Sequence, residues 1–119
     1  MVQSAMLYTT SINQNTDFRR MYYRAKSKNG FLTVVYLKKN RSNMARIGIT
    51  VSKKIGNAVI RNRTRRIIKA AYRNLEKKQN LRGLDVVIIA KRPCSKVKMI
   101  DVFYEIRKNI NFLIKRFGL

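Results

Sequence analysis

Ser52-Lys53-Lys54-Ile55-Gly56-Asn57-Ala58-Val59-Ile60-Arg61-Asn62-Arg63-Thr64-Arg65-Arg66-Ile67-Ile68-Lys69 is the stretch whose reading decides the fold. It passes from a strand end through a Gly-Asn turn into a helix over about residues 57–74, with Asn57 as the N-cap. At about 100° per residue, Ile60, Thr64, Ile67, Ile68, Ala71 and Leu75 gather on one side of that helix. Asn62, Arg65, Arg66, Lys69 and Arg73 gather on the other, and Arg61 and Arg63 flank the edges. The apolar stripe requires a sheet to pack on, so the basic stripe faces outward. Like charges at i,i+4, as in Arg61/Arg65/Lys69, each cost a few tenths of a kcal/mol. No acid relieves them before Glu76. A merely solvated face mixes signs; this one asks for a polyanion.

The whole chain repeats that bias. Its 119 residues hold 28 Lys+Arg against 5 Asp+Glu, a formal charge of +23, so a compact fold repels itself unless a partner neutralises it. Nucleic acid is that partner, because each neutralised phosphate releases counterions and adds affinity. An anionic membrane is the rival, but no strongly amphipathic basic tail stands apart from the fold, and no apolar run approaches a membrane span. Hydrophobic residues make up 45%, enough for a core, and the length fits one domain. The single cysteine, Cys94, permits no internal disulfide and reads as a small loop residue in a reducing cytoplasm. Met1 to Thr16 carries no Lys or Arg and no long apolar stretch, so it does not read as a secretory signal.

Around the basic helix the remaining elements follow in order. Residues 1–14 read as a loosely ordered arm that partly docks on a single domain, 15–119. Residues 15–25 read as a short helix that Thr16 can cap, with Phe18, Met21, Tyr22 and Ala25 on one face. From periodicity alone Phe18 and Tyr22 are core. Asn29-Gly30 marks a turn. Strands follow at 31–37 and 46–52; the first is apolar on both faces, the second alternates cleanly, and the loop between them suggests an antiparallel pair. Glu76–Gly83 reads as a charged connector. Leu84–Ala90 is a near-continuous apolar strand expected at the centre of the sheet. A last helix, about 100–116, carries Val102, Phe103, Ile106, Ile110, Leu113, Ile114 and Phe117 as its apolar stripe, and Gly118 stops it.

Protein-based catalysis is poorly supplied. There is no His, the usual general base and commonest metal ligand. One Cys excludes a Cys-based zinc site. The acids Asp17, Glu76, Asp85, Asp101 and Glu105 are scattered. Asp101 and Glu105 are spaced so that they could share a Mg²⁺ on a helix, but they read far more readily as ordinary first-turn acids favoured by the helix dipole. Neither a P-loop nor a GxGxxG motif is present.

Ser52 to Arg66 goes beyond generic basicity. An Asn-Ala-Val turn, then Arg-Asn-Arg and further basic residues, just after a Ser-Lys-Lys strand end, closely resembles the signature of the bacterial ribonuclease P protein subunit. Thr16-Asp17-Phe18-Arg19-Arg20, Arg46-Ile47-Gly48-Ile49 and Gly83-Leu84-Asp85-Val86-Val87-Ile88-Ile89-Ala90 extend the resemblance over about residues 15–115. It implies an α+β, single-domain α-β-β-β-α-β-α sandwich with a four-stranded sheet, a left-handed crossover around the basic helix, and a short extra strand near Arg24–Ser27. It implies a protein subunit of a ribonucleoprotein endonuclease, in which a catalytic RNA removes the 5′ leader of precursor tRNA. Arg61, Asn62, Arg63, Arg65, Arg66 and Lys69 would contact the RNA subunit. Phe18, Tyr22 and Tyr36, with Lys53, Lys54 and Asn57 nearby, would bind the leader in a cleft between the first helix and the sheet. That makes partial exposure of Phe18 and Tyr22 the expectation. Mg²⁺ would be held mainly by the RNA, with no protein catalytic residues, no metal ligands on the protein and no obligate protein partner. Lys69-Ala70 stands where the family usually has Arg-Glu, Thr64 where it is more often apolar, and the arm before Thr16 lacks the family's common basic residues. The alternative is a ribosomal-type RNA-binding protein without a processing role, which accounts for the charge but not for the signature.

Overall fold

Leu84–Ala90 (β5) occupies the centre of the sheet because it is apolar on both faces and needs cover above, below and at both edges. The computed structural model describes residues 6–119. The other elements are Thr9–Ser11 (β1), Asn15–Arg24 (α1), Lys26–Asn29 (β2), Thr33–Lys39 (β3), Ala45–Thr50 (β4), Ala58–Lys78 (α2) and Met99–Phe117 (α3). Short 3₁₀ turns lie at Lys53–Ile55 and Arg92–Lys96. The sheet order is β1-β4-β5-β3-β2.

Val86, Ile88 and Ala90 face one way and join Ile68, Ala71, Tyr72 and Leu75 of α2 and Val102, Ile106, Ile110 and Leu113 of α3 in the main core. Val87 faces the other way and packs with Met21 of α1 and Ile12, with Phe18, Tyr36 and Ile89 at the margin. The result is a three-layer α+β sandwich, with two helices covering one sheet face fully and one short helix covering the other in part.

Two strand expectations are corrected. β3 and β4 do not pair; β5 lies between them, antiparallel to β3 (Tyr36 opposite Val87) and parallel to β4 (Gly48 opposite Val87). A strand apolar on both faces gains most from the interior position, which overrides the short loop between β3 and β4. The sheet also has five strands, not four. The short strand expected near Arg24–Ser27 is β2, and the fifth is β1, from the stretch read as an arm. β1 pairs in parallel with β4, Thr9 opposite Ala45, and Tyr8 and Ile12 are buried on either side of it. Residues 1–5 of that arm lie outside the described residues.

Local signals explain most helix ends. The Asn57 side chain accepts a hydrogen bond from the Ile60 amide at 3.0 Å, capping α2. Gly118 takes φ 68° and closes α3. Thr16 does not cap α1; the helix begins at Asn15, and Thr16 sits inside its first turn. Glu76 is not in a connector. It lies within α2, buried, and accepts from the Leu7 and Tyr8 amides (2.8 and 3.2 Å) and from the Thr9 hydroxyl. The segment preceding β1 is thus fastened to the far end of the basic helix.

Candidate nucleic-acid interface

β1 ends at Ser11, and its last ladder partner is Ile47, so the rest of β4 has an open edge. A groove opens there. Ile49, Thr50 and Val51 form its floor, Asn15, Phe18, Arg19 and Tyr22 of α1 form one wall, and Arg65 of α2 reaches in from the other. A contiguous hollow, lined by Phe18, Ile47, Gly48 and Ile49, brings in Arg65 and Lys69 together.

The groove's aromatic wall is built by close fit. A Cβ on Gly48 would lie 2.6 and 2.8 Å from the Phe18 ring atoms Cε1 and Cζ, so the ring lies against bare backbone. Phe18 and Tyr22 are one helical turn apart, with ring centroids 6.4 Å from each other. Tyr22 meets Tyr36 of β3 edge-on at 5.1 Å, and its hydroxyl lies 3.2 Å from Thr50 Oγ1. The three rings form a row across the sheet from β4 towards β3. Met21 is buried beneath it, while Phe18 and Tyr36 are partly exposed and Tyr22 is exposed. Partial exposure, the arrangement expected of a cleft, replaces the core reading of Phe18 and Tyr22.

α1 is held over the sheet by an ionic cluster. Arg46 of β4 donates Nε to Asp85 Oδ1 at 3.0 Å and Nη2 to Asp85 Oδ2 at 2.6 Å. Asn40 Nδ2 donates to Asp85 Oδ1 at 2.8 Å. Arg46 Nη1 lies 3.6 Å from Asp17 Oδ2 on α1. Burial would raise the Asp85 carboxyl, but the hydrogen bonds from Arg46 and Asn40 and the Arg46 charge more than offset it and hold the group below its ordinary range.

On α2 the basic residues take three positions. Asn62, Arg63, Arg66 and Lys69 are exposed. Arg61 turns back, Nε to the Gly56 carbonyl at 3.2 Å, and Arg63 donates to the Ser95 carbonyl at 2.8 Å, bracing the helix on the turn before α3. Arg65 donates to Asn62 Oδ1 at 3.0 Å and lines the groove. The apolar stripe packs as read at Ile68, Ala71 and Leu75; Thr64 is buried too, its hydroxyl returned to the Ile60 carbonyl at 2.8 Å, while Ile60 is exposed.

Of the twelve residues expected to bind, Phe18, Tyr22 and Tyr36 come together, and Arg65 and Lys69 join them from the helix assigned to another surface. Lys53, Lys54 and Asn57 do not line the groove; they sit, exposed, in the turn after β4, and the Asn57 side chain is committed to its cap. Sequence reasoning missed Thr50 and Arg19. Thr50 had a signal, as a residue on the polar face of the alternating strand.

The acids are occupied structurally. Glu105 accepts from the Phe31, Leu32 and Thr33 amides (2.8 to 3.1 Å) and from the Thr33 hydroxyl, so it anchors the turn into β3. Asp101 accepts from the Lys98 amide at 3.2 Å at the start of α3. The Asp101–Glu105 spacing is therefore used for two different backbone contacts. Among the described residues no three His, Cys, Asp or Glu side chains converge as a metal site. Cys94 is buried and its thiol is pushed up to about 11 by desolvation, with a contribution from Glu105, so it is held unreactive. No helix among the described residues is long and apolar enough to cross a membrane.

Comparison with known proteins bears on the sequence and the fold. The Ribonuclease P family model matches residues 6–117. The ribonuclease P protein component of Clostridioides difficile (strain 630) is 44% identical over 110 residues, covering 91% of each chain. That of Clostridium botulinum (strain Langeland / NCTC 10281 / Type F) is 48% identical over 81 residues, 67% of this chain and 72% of the relative. Among solved structures, the Staphylococcus aureus RNase P protein superposes with a TM-score of 0.75 at 30% identity, covering 86% of this chain and 93% of that one. The Thermotoga maritima RNase P protein superposes at 0.69 and 27% identity, covering 89% and 96%. Matched in sequence and in fold over nearly its whole described length, the chain belongs to the bacterial ribonuclease P protein family.

Proposed function

We propose that this protein is the RNA-binding subunit of a ribonucleoprotein endonuclease that removes the 5′ leader of precursor tRNA. It binds a catalytic RNA through Arg61, Asn62, Arg63, Arg65, Arg66 and Lys69, and the leader through Phe18, Tyr22 and Tyr36. The observation that carries this reading is the aromatic row of α1 and β3 opening on a groove that Arg65 of α2 also lines. Aromatic faces stack unpaired bases without demanding one sequence, at roughly 1–3 kcal/mol per base, and cations beside them track the backbone. An unpaired leader of variable sequence needs both. Lys53 and Lys54, exposed in the turn between β4 and α2, add phosphate contacts outside the groove.

Cleavage is assigned to the RNA and to Mg²⁺ held by it. The protein's own part is to orient the leader and to neutralise phosphates that would otherwise repel the two RNAs. No obligate protein partner is invoked, and the site of action is the cytoplasm. The test is cleavage of precursor tRNA at low magnesium, by protein alone and by protein with a cognate RNA subunit. The expected result is no cleavage by protein alone, and a gain in rate or precursor affinity when protein joins the RNA. Cleavage by protein alone, or an RNA indifferent to the protein, overturns the proposal. Assembly with the RNA but no effect on precursor would favour a purely structural RNA-binding role.

A further inference from the structure

The aromatic row points beyond the groove. Phe18 lies over β4, Tyr22 spans from Thr50 of β4 to Tyr36 of β3, and Tyr36 stands opposite Ser27 of β2. β2 is the last strand of the sheet, so its outer backbone groups have no strand partner. On either side of Ser27, Lys26 and Lys28 pair with Leu37 and Val35 and so turn to the opposite face. There each meets a phenylalanine of α3. Lys28 Nζ lies 4.5 Å from the Phe112 ring centroid, and Lys26 Nζ lies 4.9 Å from that of Phe117. Arg116 covers Phe117 as well, at 5.5 Å. Both rings remain 45% and 42% exposed.

Lysines on an edge strand guard it against pairing with other chains. That role accounts for Lys26 and Lys28 but needs no half-exposed rings beneath them. A solvated helix face would carry polar residues at 112 and 117. Two residues apart on a strand, the lysines are about 6.7 Å from each other; five residues apart on a helix, the rings are separated by about 7.5 Å along its axis. The rings also differ by about 140° around the helix, so it is the two edge lysines that link them, Lys28 at 4.5 Å from Phe112 and Lys26 at 4.9 Å from Phe117; cations beside aromatic faces are the combination that holds single-stranded nucleic acid. On α3, Glu105 has its carboxylate committed to the amides of residues 31–33.

We infer that the β2 edge and the neighbouring face of α3, through Lys26, Lys28, Phe112 and Phe117, form a second single-strand RNA site that takes the distal part of a long 5′ leader as it leaves Tyr36. The inference rests on the leader reading above. It makes the site continuous around the sheet edge, with the first leader nucleotides in the groove and later ones on the strip.

The test uses reconstituted holoenzyme with mature tRNA and with precursors whose leaders are roughly 6 and roughly 16 nucleotides long, within the span of known single-strand site sizes. Wild type is expected to bind the long-leader precursor about fivefold or more tighter than the short one, the gain from one stacked base. Lys26→Ala/Lys28→Ala should abolish that increment and leave short-leader affinity unchanged. Phe112→Ala/Phe117→Ala should do the same; the lysine pair keeps the test decisive if the aromatic pair folds poorly. No gain from the longer leader in wild type, or a lysine variant that keeps the whole gain or loses short-leader affinity equally, overturns the strip alone. A wild-type enzyme that does not separate short-leader precursor from mature tRNA overturns the leader reading itself, and the strip with it.

Discussion

Arg46 and Asp85 meet on adjacent parallel strands through two hydrogen bonds, 3.0 Å from Nε and 2.6 Å from Nη2, and the same guanidinium reaches Asp17 on α1 at 3.6 Å. One arginine therefore ties the central strand, its neighbour and α1 together. Asp85 is 1% exposed while Arg46 keeps access to water, so removing the acid hurts mainly by stranding its partners.

Asp85→Asn should destabilise the fold by about 2 kcal/mol, less than a fully buried pair would lose because Arg46 can turn to solvent. The pH dependence has a definite sign. Asp85 titrates below its ordinary 3.8 when folded. Its contribution is thus complete above the unfolded value and is lost as pH falls from about 4 through the lower folded value. Urea unfolding at several pH values should show wild type weakening on acidification and the variant responding less in that window. Equal slopes would remove Asp85 as the cause.

Gly48→Ala places a methyl 2.6 Å from the Phe18 ring. The ring is partly exposed and can swing away, so the stability cost should be about 1 kcal/mol. The larger effect should be on leader binding, because the displaced ring leaves the row. Precursor affinity should fall while affinity for the RNA subunit holds; equal losses would indicate general misfolding.

Arg65 and Arg66 are adjacent but sit differently, Arg66 exposed on the outer face and Arg65 in the groove. Arg66→Ala should weaken RNA-subunit assembly and reduce the salt slope by about one. Arg65→Ala should do that and also narrow the preference for precursor over mature tRNA. Identical behaviour of the two variants would contradict the shared position of Arg65.

Tyr36→Ala removes the last ring of the row and the edge contact that steadies Tyr22. Precursor binding should weaken about fivefold or more, as for the loss of one stacked base, with mature tRNA spared. Competition binding with both RNAs measures this directly, and matching losses would refute a leader role for the ring.

What the sequence determined alone lies within a few residues of each signal. Asn57 caps its helix because cap and client are three positions apart, and the α2 stripe at Ile68, Ala71 and Leu75 follows from helical period. Leu84–Ala90 declared itself central by being apolar on both faces, and the charge excess with the Ser52–Lys69 motif indicated the family. What only tertiary structure decided joins distant segments. No local pattern reveals that β5 separates β3 from β4, or that β1 adds a fifth strand. Glu105 serves amides 72 to 74 residues away, and Glu76 serves those of Leu7 and Tyr8, so both looked like ordinary surface acids in the chain. The groove itself is of this second kind. Phe18 fits against Gly48, and Arg65 arrives from the basic stripe of a helix, which the sequence assigned wholly to the outer surface. Helix period states which way a side chain points, but only the packing of α1 and α2 around the open edge of β4 brings these residues to one groove.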